Sequence, residues 1–482
     1  MAAATMVFLP CWGSGHFMSM ITAGKRMLDA SGGALSLTVL VMQAPTPAKA
    51  SEVEDHVRRE SSSGHDIRVI NLPAVEPPTT DCVAPEEFTF RYIQLQASHV
   101  EEAIAGLSSP VTAIVFDLFC TPLLDVAGDL AVPRYAYFAS TGAFLALTLR
   151  LTLAGIREDL IVRLKQTEGT VDVPGLPPVP VSYMPACLSG SKIGNCEWFE
   201  YCGRRLMDTS GIIINSSVEL EPGVLTAIAD GRCVPGRPAP TVYAIGPVIW
   251  FAAAPEHQQP HACVQWLDTQ PSGSVVFLCF GSNGVLDAAQ VREVAAGLER
   301  GGHRFLWVLR GAPAGGSRHP TDADLDTALP TGFLTRTRGR GLVWPAWAPQ
   351  KEILAHPAVG GFVTHCGWNS ILESLWFGVP MLPWPLYGEQ HLNAFELVRE
   401  MGVAVHLKNM DVTEADMVVE AAEVEAAVRG LMGGTEGGRK AKEKAADMKD
   451  ACRNAVVEGG SSYVALRELM RGLCPGGVAP SP

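Results

Sequence analysis

The pattern of apolar residues in the first half of the chain predicts parallel β-strands that alternate with helices. An apolar strand at Met6–Pro10 leads through a glycine-containing turn into a helix from His16 to about Ala30, and a second strand follows at Leu35–Val41. Such a β-loop-α-β unit implies a parallel sheet with right-handed crossovers. Further strands are predicted at Ala113–Phe119, Tyr135–Phe138 and Gly211–Asn215, and further helices from about Pro122 to Leu130 and from about Gly142.

The same alternation returns in the second half of the chain after an interruption. The periodicity is lost around Gly246–His261, which we interpret as a linker, and the polar segment Pro313–Asp326 predicts a mobile loop. Strands are predicted at Ser274–Phe280, Phe305–Leu309, Gly341–Trp344, Gly361–Thr364 and Met381–Trp384. The second half is therefore expected to form another doubly wound α/β domain.

These patterns predict an α/β fold made of two facing, doubly wound domains. We place the first domain at residues 1–245, the linker at 246–262, the second domain at 263–457, and a C-terminal helix with a tail at 458–482. Ligands bind at the carboxyl ends of the strands in sheets of this kind. The residues that directly follow each strand are therefore the first candidates for a functional site.

Composition and charge argue against several classes of protein. The chain has a net charge of −13 and no Lys/Arg run, so nucleic acid is not an expected partner. None of the 12 cysteines belongs to a CxxC pair, which argues against a zinc site or a disulfide framework. The N-terminus has no basic region, and no uncharged apolar run approaches the ~18 residues of a membrane span. We expect a soluble, cytoplasmic protein without an integral membrane segment.

The segment 347–390, which is 44 residues long, holds the densest group of candidate binding residues. A predicted strand ends before His365, Gly367 allows close approach of the backbone, and Asn369 and Ser370 open a helix. A helix N-terminus surrounded by such side chains is suited to a pyrophosphate. The alternative is that Asn369 and Ser370 only cap the helix and that His365 is an ordinary satisfied polar residue.

Other residues in this segment fit the remaining parts of a nucleotide sugar. Glu373 lies one turn into the helix and can accept two ribose hydroxyls, or it can complete a capping box instead. Trp347 can stack on a planar base, or it can pack in the core. Glu389 and Gln390 follow a strand and are suited to sugar hydroxyls, although a solvated loop would explain them equally.

The segment resembles the signature box of plant secondary-product glycosyltransferases, the UDP-sugar-dependent family 1 enzymes. The WAPQ opening, the HCGWNS core, Glu373, the GVPMLPWP strand and the EQ ending match in order and length. The N-terminal loop with its histidine, the GPV linker and the FGS turn extend the resemblance over nearly the whole chain, loosely in the acceptor region. The sequence departs from the family at Glu389, where many members have Asp, and at Asn283, where Met is common.

The resemblance implies a GT-B fold, in which the first Rossmann-like domain binds the acceptor, the second binds the UDP-sugar, and a C-terminal helix packs back on the first domain. It implies UDP-glucose as a co-substrate, with no metal and no other cofactor. It also implies roles for single residues: Trp347 and Ala348 at the uracil, Gln350 and Glu373 at the ribose, Ser282, His365, Asn369 and Ser370 at the phosphates, and Thr141, Trp368, Glu389 and Gln390 at the sugar.

His16 and Asp117 are the candidates for catalysis. His16 stands at the loop-to-helix junction after the first strand, and Asp117 lies in a buried strand, where an unpaired carboxylate is costly. A neutral imidazole can take a proton from an acceptor hydroxyl, and a paired carboxylate stabilises the imidazolium that forms. Taken alone, His16 has a helix-start role as its alternative and Asp117 has structural pairing. The resemblance, with GSGH and VFDLF in matching places, favours the catalytic pair.

We therefore predict an inverting UDP-glycosyltransferase that moves glucose from UDP-glucose to a hydroxyl of a flavonoid or another small apolar plant phenolic, giving a β-glucoside. Glucose is favoured over galactose because the Gln390 amide offers both a donor and an acceptor to equatorial hydroxyls. Apolar side chains predicted for the acceptor pocket are Phe17, Phe119, Phe144, Met184, Phe199 and Tyr387. The expected partners are the acceptor and the UDP-sugar, and the expected state is a monomer.

Three alternatives differ from this prediction. One is the same fold with another UDP-sugar or with a terpenoid or hormone acceptor. Another is a non-catalytic nucleotide-sugar binder, which the presence of both His16 and Asp117 disfavours. The third is a nicotinamide-dependent dehydrogenase, but the glycine fingerprint of that class is absent, because Met18 stands where the third glycine would follow Gly13 and Gly15.

Overall fold

A parallel sheet of seven strands organises the first half of the chain. The computed structural model describes residues 4–60, 64–78, 82, 84–128, 132–251, 259–313, 319–407 and 418–474, and the numbers of strands given below apply to these residues. The strands of the first half are β1 (Ala4–Leu9), β2 (Leu35–Val41), β3 (Ile67–Asn71), β4 (Val111–Asp117), β5 (Arg134–Phe138), β6 (Thr170–Val171), β7 (Val179–Pro180), β8 (Gly211–Ile214) and β9 (Val242–Ala244). The sheet has the order β3–β2–β1–β4–β5–β8–β9 with parallel pairs throughout, whereas β6 and β7 pair antiparallel outside it.

Helices connect these strands. They are α1 (Ser14–Ser31), α2 (Pro47–Glu60), α3 (Pro85–Gln94), α4 (Ala97–Ala105), α5 (Gly142–Arg150), α6 (Ile156–Gln166), α7 (Asn195–Met207) and α8 (Pro222–Ala229), with 3-10 turns at Leu118–Ala127, Val181–Tyr183, Ala186–Leu188 and Gly190–Lys192. The first helix ends where Gly32 adopts the left-handed conformation, with φ 60°. Such a residue satisfies the last carbonyls of a helix without the steric cost of a side chain.

The second half of the chain builds a smaller parallel sheet. Its strands are β10 (Val275–Cys279), β11 (Arg304–Val308), β12 (Arg310–Gly311), β13 (Thr321–Asp322), β14 (Gly341–Trp344), β15 (Val359–Thr364) and β16 (Met381–Pro383). In the described part of the chain this sheet has five strands in the order β14–β11–β10–β15–β16, and β12 pairs antiparallel with β13 beside it. The strand β10, an apolar run of five residues, is buried along its whole length, as expected of a central parallel strand.

The remaining helices belong to the second sheet and to the C-terminus. They are α9 (Ala262–Asp268), α10 (Ala288–Gly301), α11 (Leu325–Ala328), α12 (Phe333–Arg336), α13 (Gln350–Ala355), α14 (Trp368–Phe377), α15 (Gln390–Arg399), α16 (Ala421–Arg429), α17 (Glu436–Val456) and α18 (Ser461–Leu473), with a π-helical turn at Gly430–Gly434. The last helix lies on the first domain, as expected, because Arg467 donates to the carbonyl of Ala30 and Ser462 donates to the carbonyl of Gly246.

The strand order of each sheet reverses at one place, and these two places position the functional residues. In the first sheet the reversal lies between β1 and β4, so that the loop before His16 and the end of β4 at Asp117 meet there. In the second sheet it lies between β10 and β15, which are followed by Gly281 and His365. Open α/β sheets bind ligands at such switch points.

The structure differs from the sequence prediction around Asp117. The predicted strand extends to Phe119, but β4 ends at Asp117, whose carboxylate accepts the N–H of Phe119 and begins a 3-10 helix at Leu118–Ala127. The helix predicted from about Pro122 to Leu130 is thus a 3-10 helix that begins four residues earlier, at Leu118; Pro122, inside it, has no N–H to give to an α-helical ladder. The end of that prediction, residues 129–130, lies outside the described residues.

Two other predicted irregular regions are partly described. The linker region contains residues without helix or strand at 246–251 and 259–261, and residues 252–258 lie outside the described part. The predicted mobile loop Pro313–Asp326 includes β13 and the start of α11. Residues 314–318 of this loop lie outside the described part of the chain. The helices α2, α3 and α4 and the strand β3 were missed, because their sequences carry short or partly exposed apolar patterns.

Two clusters of apolar side chains form the core. One lies against α1, β1 and β4 of the first domain and includes Leu469 and Met470 of α18. The other runs from the α5–α7 side of the first domain into the second sheet, and thus joins the two domains. Across the described residues, we find no helix with the combination of length and apolar character that a bilayer crossing requires.

Candidate active site

His16 and Asp117 form a hydrogen-bonded pair at the switch point of the first sheet. Nδ1 of His16 lies 2.8 Å from Oδ2 of Asp117, although the two residues are 101 positions apart. Gly13, at φ 95°, turns the chain directly before α1 and thereby puts His16 in the first turn of the helix. The second carboxylate oxygen of the fully buried Asp117 accepts the N–H of Phe119 at 3.0 Å. One oxygen thus fixes the backbone and the other orients the imidazole.

Burial and nearby negative charges shift the pKa of His16 in opposite directions. Burial lowers the pKa of His16, but the negative charge of Asp117, the hydrogen bond that His16 donates to Asp117 and the charge of Glu389 together outweigh burial, so that the pKa is raised above its usual value. With Nδ1 bound to Asp117, Nε2 is the nitrogen that can accept a proton. The His16 side chain keeps 32% of its surface exposed, so a substrate can reach it.

His365 follows β15 and lies against two glycines. A Cβ atom on Gly281 or on Gly367 would stand 2.5 Å from Nε2 of His365, so only glycine fits at these positions. Burial lowers the pKa of His365 to about 4, and the ring is therefore neutral near pH 7. Its Nδ1 has no hydrogen-bond partner among the described residues. A neutral imidazole in this place can donate an N–H to an anion without carrying a buried charge.

The first turn of α14 comes next to His365. The N-cap is Gly367, and no described side chain caps the helix, which leaves its first N–H groups for a ligand. Asn369 donates from Nδ2 to the carbonyl of Gly15 at 2.9 Å, and its buried Oδ1 has no partner in the described ranges. Ser282 is exposed in the turn after Gly281. The residues predicted to bind phosphate are thus gathered around one helix N-terminus.

The residues predicted to bind ribose contact one another beside this helix. Nε2 of Gln350 donates to Oε2 of Glu373 at 2.8 Å and to Oγ of Ser370 at 2.9 Å. Burial raises the pKa of Glu373, while the positive charge of Lys351 and the hydrogen bond from Gln350 oppose that shift. Ser370 therefore binds Gln350 as well as standing in the first turn of α14, and it does not act as the N-cap.

Trp347 precedes this group and has an exposed ring. Its side chain is 67% exposed, which rules out the alternative of core packing and leaves a flat face for a base. The loop is held because Nε1 of Trp344 donates to the carbonyl of Trp347 at 3.0 Å. Ala348, next in the chain, is buried.

Thr141, the residue of the first domain that was predicted to contact the sugar, has other hydrogen-bond partners in the structure. Thr141 is fully buried; its Oγ1 accepts the N–H of Phe144 at 3.1 Å and donates to Oδ1 of Asn393 at 3.4 Å. The preceding residue, Ser140, donates instead to Oε1 of Glu389 at 2.8 Å. Ser140 was missed because a single serine after a strand has no distinguishing sequence signal.

Polar groups of Trp368 and Gln390 form hydrogen bonds within the protein. Nε1 of the buried Trp368 donates to the carbonyl of Asn215 at 2.6 Å. Oε1 of Gln390 accepts the N–H groups of Leu386 and Tyr387 at 2.8 and 3.0 Å. Both lone pairs of that carbonyl are therefore used, and the side chain also hydrogen bonds to the Tyr387 hydroxyl, so only part of its amide N–H capacity remains for a ligand. This geometry removes the donor-plus-acceptor argument by which Gln390 favoured glucose.

Aromatic rings lead from His16 into the first domain. The ring centroids of His16 and Phe119 are 5.3 Å apart, those of Phe119 and Phe90 are 5.0 Å apart, and Phe90 stacks on Trp198 at 5.2 Å. Phe199 lies 6.1 Å from Phe90. Phe90 and Trp198 were missed; the only sequence signal was the dense aromatic run around Phe88–Tyr92, on a helix that was not predicted.

The other predicted acceptor residues fall into different surroundings. Phe144 packs on Phe199 at 5.2 Å, and Met184 is buried in the same cluster. Phe17 stacks on His56 at 6.2 Å, whereas Tyr387 lies 6.1 Å from His365. Phe144, Met184 and Phe199 thus share one apolar cluster, Phe17 belongs to the other, and Phe119 packs against both.

A proton-accepting pair on one parallel sheet, opposite a helix N-terminus with an exposed tryptophan on the other, is typical of a two-domain transferase that uses a nucleotide-linked donor. The family described as UDP-glucoronosyl and UDP-glucosyl transferase matches residues 240–429. The protein "Malvidin galactosylase UGT88C3" of Oryza sativa subsp. indica is 57% identical over 97% of both chains. The chain is thus a UDP-glycosyltransferase and belongs to the plant family 1 enzymes with the GT-B fold.

Solved structures agree with this assignment. UGT71G1 of Medicago truncatula, complexed with UDP-glucose, superposes with a TM-score of 0.84 at 35% identity and covers 98% of both chains. UGT2 of Phytolacca americana, complexed with UDP-2fluoro-glucose and pterostilbene, gives a TM-score of 0.80 at 32% identity, with 98% of this chain and 99% of that chain covered. Both of these structures hold a UDP-sugar. In the described part of this chain, no group of three or more His, Cys, Asp or Glu side chains is arranged to hold a metal ion.

Proposed function

We propose that the protein transfers a hexose from a UDP-hexose to a hydroxyl group of a flavonoid, with inversion at the anomeric carbon. The observation that carries this proposal is the 2.8 Å hydrogen bond between His16 and Asp117, next to an aromatic pocket. A hydroxyl held near Phe119 can give its proton to Nε2 of His16. A non-catalytic nucleotide-sugar binder has no use for this buried pair.

The transfer is a single displacement. The acceptor oxygen attacks the anomeric carbon, the bond to the UDP oxygen breaks, and the acceptor proton moves to His16. Asp117 stabilises the imidazolium, and the first N–H groups of α14 together with neutral His365 stabilise the charge that develops on the departing phosphate. An α-linked donor yields a β-linked product.

Donor binding follows from the second domain. We assign the uracil to Trp347 and Ala348, the ribose to Gln350 and Glu373, and the phosphates to Ser282, His365, Asn369 and Ser370. For the sugar we assign Glu389 with the amide N–H groups of Gln390, and add Ser140, which holds Glu389. Thr141 and Trp368 support this site through the protein rather than through their own free polar groups.

Two donor sugars are candidates, each for a stated reason. UDP-galactose is our first candidate, because the relative that shares 57% of its residues with this chain is named a malvidin galactosylase. UDP-glucose is the second, because Gln390 matches the family's usual residue and other relatives are named for glucose or bound to it. The two sugars differ only at the 4-hydroxyl, and the hydrogen bonds to it decide between them.

The acceptor is proposed to be an anthocyanidin or a related planar phenolic. The aromatic rings of Phe90, Phe119 and Trp198, with Phe90 and Trp198 stacked and Phe119 tilted against Phe90, favour a flat aromatic substrate over an aliphatic terpenoid. The names of two relatives, a malvidin galactosylase and an anthocyanidin 5,3-O-glucosyltransferase, support the same class. We take the enzyme to act as a monomer in the cytoplasm.

The test measures kcat/KM for UDP-galactose and UDP-glucose with malvidin and with a terpenoid alcohol. Transfer to malvidin with a preference for UDP-galactose supports the full proposal, and a preference for UDP-glucose replaces the donor but keeps the activity. In His16→Ala we expect turnover to fall at least ~10²-fold while UDP affinity stays unchanged. Transfer to neither acceptor with UDP binding intact would contradict the enzyme function.

A further inference from the structure

A single buried amide, that of Asn215, lies where three parts of the active site meet. Asn215 directly follows β8 and is fully buried. Its Oδ1 accepts the N–H of Val248 in the linker at 2.7 Å, and its Nδ2 donates to Oγ of Ser19 at 3.1 Å. Since both ends of the amide have partners, the side chain is held in one orientation.

Ser19 connects this amide to the catalytic base. It lies on α1, one helical turn after His16, and its Oγ is also 2.6 Å from the hydroxyl of Tyr137 on β5. The hydrogen bonds from Asn215 and Tyr137 therefore fix the rotation and height of α1 on the sheet. The position of the imidazole follows from the position of this helix.

The main chain of Asn215 connects to the donor site in the other domain. Nε1 of Trp368, the first residue of α14, donates to the carbonyl of Asn215 at 2.6 Å. The next residue, Asn369, donates to the carbonyl of Gly15 beside His16 at 2.9 Å. The helix whose N-terminus faces the phosphates is thus docked on the same residues that hold the base helix.

We propose that Asn215 is a positioning residue that sets the distance between the proton-accepting helix α1 and the donor-binding helix α14. The inference rests on the proposed function, because it concerns the same transfer. In-line displacement needs the base, the acceptor oxygen and the anomeric carbon aligned to within a fraction of an ångström, and the first and last of these are held by different domains. Asn215 joins the two helices through its side chain on one side and its carbonyl on the other.

The experiment removes each link separately and then both. Ser19→Ala removes the link to α1, Trp368→Phe removes the indole N–H that links α14, and the double variant removes both. Replacing Asn215 itself would leave a buried cavity, so these flanking variants are the sharper tools. Thr22→Val is the matched control, because Thr22 lies on the same helix and its hydroxyl bonds only to the carbonyl of Met18.

We expect each single variant to lower kcat about three- to tenfold, the effect of one net hydrogen bond, while the Kd of UDP stays within about twofold of the parent. The double variant should be about as slow as the slower single variant, because both changes break one connection. Thr22→Val should turn over like the parent.

Three results would overturn the inference. The first is that the losses in kcat multiply in the double variant, and the second is that Ser19→Ala keeps the parent kcat. The third is a variant that loses kcat, UDP affinity and melting temperature together, which indicates structural damage and contradicts a positioning role. If the parent enzyme transferred no hexose at all, the proposed function would fail instead, so the two failures are distinguishable.

Discussion

Ser140 donates a 2.8 Å hydrogen bond to Oε1 of Glu389 across 249 positions of sequence, and this bond connects the first domain to the start of α15. One carboxylate oxygen of Glu389 is thereby fixed, and the other is the one that we propose for the sugar. The residue of the first domain that contacts Glu389 is thus Ser140, while its neighbour Thr141 is fully buried.

Removal of the Ser140 hydroxyl should weaken binding of the donor's hexose and leave binding of its nucleotide unchanged. In Ser140→Ala we expect the KM for the UDP-hexose to rise about tenfold, the size of a hydrogen bond to a charged group. The Kd of UDP, which lacks the transferred hexose, should not change; steady-state kinetics measures the KM and calorimetry measures the Kd. Thr141→Ser, which keeps the hydroxyl that caps α5, is the control. An equal loss of UDP affinity in Ser140→Ala would show that the whole cleft has changed.

Asp117→Asn should move the acid side of the pH profile as well as slow the reaction. His16 must be neutral to accept a proton, so activity falls when the pH drops through its raised pKa. The amide removes the charge that raises this pKa, and burial, which lowers it, remains. The midpoint of the acid limb of kcat/KM should therefore shift to lower pH. If the midpoint of the acid limb did not move, Asp117 would have no part in setting the pKa of the proton acceptor.

Gly281→Ala should abolish the phosphate site by a direct collision. The new Cβ would lie 2.5 Å from Nε2 of His365, and the backbone there has φ 75°. We expect the affinity for UDP to fall more than tenfold, measured by calorimetry, because His365 must leave its place. Gly302→Ala is the matched control, with φ 68° and open space around the added methyl group. In both variants the free energy of unfolding should fall by the cost of a left-handed alanine, about 1–2 kcal/mol, and the melting temperature should fall with it. Only Gly281→Ala should lose affinity for UDP.

A buried pair of carboxyl groups joins the domains behind the sugar site. Glu221 accepts the N–H groups of Gly142 and Ala143 at 2.9 and 3.0 Å, while Glu396 of α15 is hydrogen bonded to Glu221. Burial, then the charge of Glu221, raises the pKa of Glu396 well above its usual value, and the charge of Glu400 acts in the same direction. Glu221 has three hydrogen-bond donors, so the shared proton belongs to Glu396.

Glu396→Gln should therefore flatten the dependence of stability on pH. A raised folded-state pKa means that the stabilisation is present at low pH and is lost as the pH rises through that pKa. Between about pH 5 and about pH 9, we expect the melting temperature of the parent to fall more steeply than that of Glu396→Gln, whose amide keeps a donor toward Glu221 at every pH. Parallel curves would mean that Glu396 does not titrate in the folded protein.

The sequence by itself determined the framework and the local chemistry. Continuous apolar runs such as β10 and β15 can only be satisfied as buried parallel strands, so the two-domain α/β fold was predictable. The segment 347–390 carries Trp347, Gln350, His365 and Glu373 in one stretch of sequence, so these candidate donor-binding residues could be recognised before their spatial arrangement was known. His16 and Asp117 could be paired because His16 follows one strand and Asp117 lies in another strand of the same predicted sheet, and because the family resemblance favours the pair.

Only the tertiary structure decided which polar group meets which. Trp368 was expected at the sugar, but its N–H is taken by Asn215, 153 positions away, and the Gln390 carbonyl is taken by its own loop. Residue types state which hydrogen bonds are possible, whereas the packing of one domain on the other decides which of them form. For the same reason the roles of Ser140, Phe90 and Asn215 could not be seen in the sequence: each depends on contacts with residues that are distant along the chain.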